Sequence, residues 1–66
     1  MTVYLNDKPV EVADGITLEA ALETLSIPST GIATAVNGAV VPNDKRAATV
    51  LNHNDKILII KAFYGG

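Results

Sequence analysis

Between two apolar runs, Ala33-Thr34-Ala35-Val36 and Ala39-Val40-Val41, stands a bare Asn37-Gly38 pair. A two-residue link between strands needs positive φ at both central residues, and asparagine followed by glycine reaches that conformation at the lowest cost. The stretch is therefore predicted to be an antiparallel hairpin, closed by Pro42. A hairpin by itself is barely stable in water and needs further strands or a helix to pack on. A second strong constraint is Lys56-Ile57-Leu58-Ile59-Ile60-Lys61-Ala62-Phe63, launched by the polar turn Asn52-His53-Asn54-Asp55. A strand apolar on both faces belongs in the middle of a sheet. If one helix covers only one of those faces, the other is an exposed apolar patch.

The remaining elements can be placed around these two. Val3-Tyr4-Leu5 and Pro9-Val10-Glu11-Val12 read as short strands about the polar turn Asn6-Asp7-Lys8. Pro9 cannot donate to a ladder, so it sits at a strand start or on a sheet edge. Asp14-Gly15 is a turn signal, Thr17 a good N-cap, and Glu19 lies where the helix dipole favours an anion. Leu18, Ala21, Leu22 and Leu25 recur at helical spacing and form one stripe, with Glu19 and Glu23 off it. Pro28 ends the helix by about Ile27. So short a helix, near Thr17–Leu25, must pack on a sheet to persist. Asn43 to Thr49 is polar and reads as a turn or short helical loop. Two strands, a helix, a hairpin, a loop and a central last strand resemble a β-grasp, the ubiquitin-like fold. The expected class is α+β: a single β-grasp domain over residues 1–66, with a mixed sheet and one helix packed on one face.

Composition narrows the function classes. The 66 residues are 48% apolar and contain no cysteine. That is ample for a core, excludes disulfides, and suits a reducing compartment. His53 is the single histidine, flanked by Asn52 and Asn54 in a polar turn, and reads as solvated rather than as a metal ligand. The start lacks the basic and long apolar stretches of a signal peptide, and Ile57–Ile60, the longest aliphatic run, is far too short to span a bilayer. A cytoplasmic location is expected, with no membrane partner. The net charge of −2 lacks the basic stripe that phosphate backbones require, so nucleic acid is not expected either. Residues 1–33 carry −4 and residues 34–66 carry +2, an asymmetry that would steer a basic partner or simply mark a solvated helix face. No pair of His, Cys or clustered acids stands at catalytic spacing, so an enzyme in its own right is not expected.

The chain then stops at Gly65-Gly66, directly after the apolar strand. Two terminal glycines give folding nothing, since glycine loses the most entropy on ordering. They would let a terminal carboxylate, with no Cβ beside it, be threaded into a narrow channel of another protein. The plainer reading is a frayed terminus. In either case the tail from about Phe63 is expected to be mobile in the free protein.

Val36-Asn37-Gly38, Val41-Pro42, Asn54-Asp55-Lys56-Ile57 and Gly65-Gly66, together with Asn6 and Asp14-Gly15-Ile16-Thr17, resemble the bacterial sulfur carrier proteins of thiamin biosynthesis, the ThiS type. The resemblance covers essentially the whole chain. Two positions depart from the family pattern. Asn54 stands where glycine is usual, a change the turn tolerates because asparagine accepts the left-handed region. Arg46 stands where a large aromatic is expected, which leaves the packing of its loop in question. Sister carriers of molybdopterin synthesis run longer and have proline and small residues before the glycines, where this chain has Phe63-Tyr64.

The resemblance implies a carrier that binds no cofactor and has no catalytic group of its own. The carboxylate of Gly66 would be adenylated with ATP by an E1-like adenylyltransferase of the ThiF type. A sulfur-donating enzyme would convert it to a thiocarboxylate, and a thiazole synthase of the ThiG type would take the sulfur. Gly65, Tyr64, Phe63, Ile60, Leu58 and Tyr4 are the candidate binding residues. Strand alternation puts Ile57 and Ile59 on one face and Leu58 and Ile60 on the other. The resemblance to other Gly-Gly β-grasp domains implies that Ile57 and Ile59 face the core while Leu58 and Ile60 turn outward beside Tyr4. A carrier for molybdopterin or another sulfur-containing metabolite, a ubiquitin-like protein modifier and a small β-grasp binding module remain as alternatives.

Overall fold

A computed structural model describes residues 1–61; residues 62–66, and with them Phe63, Tyr64, Gly65, Gly66 and the expected tail mobility, lie outside the described residues. Strands β1 (Thr2–Leu5) and β2 (Lys8–Glu11) precede helix α1 (Leu18–Thr24). Then come β3 (Ile32–Val36), β4 (Ala39–Val41), a 3-10 helix (Asn43–Ala48) and β5 (Lys56–Lys61). The sheet order is β2-β1-β5-β3-β4, with β1 and β5 parallel and every other pair antiparallel. This is the mixed β-grasp sheet anticipated from the order of elements.

Both hairpins are two-residue turns in the left-handed region. Asn37 (φ 51°) and Gly38 (φ 84°) join Val36 to Ala39, and Asn6 (φ 47°) and Asp7 (φ 69°) join Leu5 to Lys8. The Asn54 turn survives without glycine, at φ 70°. Pro9 lies on edge strand β2, where its missing N–H costs no ladder bond.

Thr17 caps α1 by accepting from the Ala20 N–H at 3.2 Å. Thr49 O accepts the Leu18 N–H at 2.8 Å, so a second orphan donor of the helix start is satisfied from the loop after the 3-10 helix. The helix ends in a Schellman arrangement: Ile27 N–H bonds Leu22 O, Ser26 N–H bonds Glu23 O, and Ser26 takes φ 58°. A non-glycine residue pays for that conformation. Ser26→Gly is therefore expected to raise stability by up to about 1 kcal/mol, read as a higher urea midpoint at unchanged slope.

Leu18, Ala21 and Leu22 of the helix stripe are buried against Val3, Val12, Leu51 and Ile57, with Ile59, Val36 and Leu5 packed around them. Leu51 comes from irregular chain, held by its N–H to Ile16 O at 2.9 Å.

Arg46 answers the question its sequence position raised. It is 3% exposed, and its guanidinium replaces aromatic packing with four hydrogen bonds. They run to Thr34 Oγ1 (3.1 Å), Ser29 O (2.7 Å), Asn43 Oδ1 (3.2 Å) and Ile32 O (2.9 Å). A polar side chain fills this interior position because the fork of a guanidinium matches the carbonyls that converge on it.

Candidate functional site

Strand β5 is central in the sheet but not along its whole length. It pairs with β3 from Ile57 to Lys61 and with β1 only at Lys56 and Ile57. Helix α1 covers one face, so the alternation of β5 divides as expected. Ile57 is buried and Ile59 half-buried against the core, while Leu58 (49% exposed) and Ile60 (55%) face away from it.

Register assembles the rest of the outer face. Ala35 stands opposite Leu58, Ala33 opposite Ile60, and Val40 opposite Ala35. Tyr4 lies on the same side of β1, between Pro9 of β2 and Lys56 of β5. An apolar band, Tyr4, Leu58, Ala35 and Val40, thus crosses four strands, with Ile60 and Ala33 forming a second row. A shallow depression beside Tyr4 and Leu58 is bordered by Asn6, Asp7, Gly38 and Lys56, so charge of both signs rims the apolar surface. The described candidates Tyr4, Leu58 and Ile60 therefore share one face.

Val40, at 77% exposed the most open large apolar side chain on this surface, was absent from the sequence-derived set. Its signal was present: a two-residue Asn37-Gly38 turn forces Val36 opposite Ala39, and so Val40 beside Ala35. His53 accepts the Thr2 N–H at 3.1 Å in the turn before β5. Among the described residues no group of His, Cys, Asp and Glu gathers as a metal centre, and no helix is long and apolar enough to cross a membrane.

The model of the ThiS family matches residues 3–66. The chain belongs to the ThiS family. It is 32% identical over 66 residues to the sulfur carrier protein ThiS of Escherichia coli (strain K12), with 100% of both chains covered. A crystal structure of the thiamine biosynthesis protein ThiS from Geobacter metallireducens superposes with a TM-score of 0.84 at 25% identity, covering 100% of this chain and 99% of that one. A solution structure of a thiamine biosynthesis protein from the same organism shares the fold, with a TM-score of 0.78 at 23% identity over 100% of this chain and 88% of that one. The β-grasp order of elements is shared with that ThiS crystal structure. Arg46 and its polar contacts are how this member fills the position under its 3-10 helix.

Proposed function

We propose that this ThiS-family chain is a sulfur carrier of thiamin biosynthesis and acts through the α-carboxylate of Gly66. The observation that carries the reading is that the family match runs through residue 66 and so includes Gly65 and Gly66. The outer apolar face supports it, because a carrier without catalytic groups needs a surface by which its enzymes hold it.

A carboxylate is a poor electrophile. In the proposed cycle a Gly66 oxygen attacks the α-phosphorus of ATP on an E1-like adenylyltransferase, and pyrophosphate leaves. A sulfide-level donor then attacks the acyl carbon, and AMP departs with the bonding pair. The resulting thiocarboxylate delivers sulfur to thiazole synthase. This chain contributes reach and docking: five residues beyond Lys61 extend at most about 18 Å, enough to thread a channel while the sheet stays outside. In sequence Phe63 and Tyr64 begin that tail, and glycine at 65 and 66 brings no Cβ into a narrow channel. The cycle consumes ATP made in the cytoplasm, where the reading places the protein.

Intact-mass spectrometry tests it. After incubation with the cognate adenylyltransferase, ATP and a sulfur source, the chain is expected to gain the mass of one oxygen-to-sulfur exchange. Covalent attachment to lysines of other proteins would indicate a modifier instead. Ile60→Asp tests the docking face: Ile60 is outside the core, so the loss of stability is expected below about 1 kcal/mol. The KM of the carrier in ATP–pyrophosphate exchange should rise at least about tenfold, because a charge is buried unpaired in an apolar contact. Unfolding of this variant would mean that Ile60 belongs to the core.

A further inference from the structure

Past Ile57, no strand among the described residues lies beside β5 on the β1 side, because β1 turns away at Asn6. The place of that missing neighbour is taken by the Asn6 side chain. Its Oδ1 accepts the Ile59 N–H at 2.8 Å, and its Nδ2 donates to Ile59 O at 3.3 Å. The Asn6 backbone N–H bonds Ile57 O at 2.9 Å, so the carboxamide extends the parallel ladder by one more step. Asn37 does the corresponding job at the other end of β5, where its Oδ1 accepts the Lys56 N–H at 2.9 Å. The two turn asparagines thus clamp β5 from opposite sides, one where it enters the sheet and the other two residues before its last described residue, Lys61.

We infer that Asn6 is a positioning residue for the transfer chemistry: by holding Ile59 it fixes the direction in which the chain leaves the sheet toward Gly66. This rests on the carrier reading given above. The physical reason is alignment. Among the described residues, without the clamp the exit of β5 is held only from the β3 side, by pairs such as Ile32 with Lys61. A wider spread of directions at Ile59 lowers the fraction of docked chains whose tail starts in line with the channel, and a displacement near 1 Å at a reacting atom is enough to cost up to roughly a hundredfold in rate. Docking through Tyr4, Leu58 and Ile60 does not depend on that direction. The loss should therefore fall on kcat rather than on KM.

Asn6→Gly is the informative variant. Glycine accepts the positive φ of the turn and removes the side chain that holds Ile59. Amide hydrogen exchange in the free protein should show the Ile59 N–H exchanging at least about tenfold faster. In ATP–pyrophosphate exchange with the cognate adenylyltransferase, at temperatures where circular dichroism shows the variant folded, kcat should fall about tenfold with KM within about twofold. Asn6→Asp keeps the acceptor for Ile59 N–H and should lie between wild type and the glycine variant in both readouts. Faster Ile59 exchange with unchanged kcat would reduce Asn6 to a stabilising contact and overturn the inference. So would a fall in kcat that aspartate does not partly restore. Failure of the wild-type chain itself to support exchange is a separate result: it removes the carrier reading, and the positioning role with it.

Discussion

Replacing Arg46 with alanine is expected to cost about 3 kcal/mol or more of folding stability, from a total on the order of 3–10 kcal/mol for a domain of this length. The side chain is 3% exposed, and four acceptors are arranged around it. Truncation leaves Thr34 Oγ1, Ser29 O and Ile32 O without that donor and opens a cavity beneath the 3-10 helix. Each orphaned buried acceptor costs about 1–3 kcal/mol, partly relieved where water can reach Ser29. Urea denaturation should show a lower midpoint at unchanged slope. Arg46→Lys should recover little, since a single ammonium cannot present the fork that reaches both carbonyls and the hydroxyl. Arg46→Met keeps volume and should lose less than alanine, which separates filling of space from hydrogen bonding. A midpoint for Arg46→Ala close to wild type would mean that the surrounding carbonyls find other partners.

Deleting Gly66 is expected to abolish activation while leaving the fold untouched. The deletion draws the carboxylate back by about 3.3–3.6 Å of extended chain. Reacting atoms must approach to about 3–3.5 Å, so a carboxylate displaced by a full residue lies out of line with the bound nucleotide. ATP–pyrophosphate exchange should fall by at least about a hundredfold, with the thermal midpoint unchanged. A β-branched residue in place of Gly66 should block exchange as well, by steric exclusion from the channel. Exchange at the wild-type rate with the deleted chain would end the carrier proposal. Paired with Arg46→Ala, the deletion separates stability from function: one change weakens the fold, the other removes only the chemistry at the end of it.

Features whose physics is local were legible in the residues. The Asn37-Gly38 turn, the left-handed Asn54, the Thr17 cap and the helix stripe each depend on a few neighbouring positions and stand in the structure, except that of the stripe Leu18, Ala21 and Leu22 are buried while Leu25 is half-buried at the C-cap. Alternation separated Leu58 and Ile60 from Ile57 and Ile59, and the family resemblance indicated which pair turns outward. Tertiary structure decided the rest, because the partners come from far along the chain. Whether an arginine can be buried depends on which carbonyls converge on it, and Ser29, Ile32 and Thr34 reach Arg46 only after the hairpin has folded over the 3-10 helix. Leu51 carries no periodic signal and is interior because its loop pairs with Ile16. The parallel pairing of β1 with β5 joins residues about fifty positions apart, and its length is set by where β1 turns. That length exposes the second half of β5 and leaves Asn6 to hold it. A sequence states which conformations each segment prefers, and only the closed sheet determines which side chains meet.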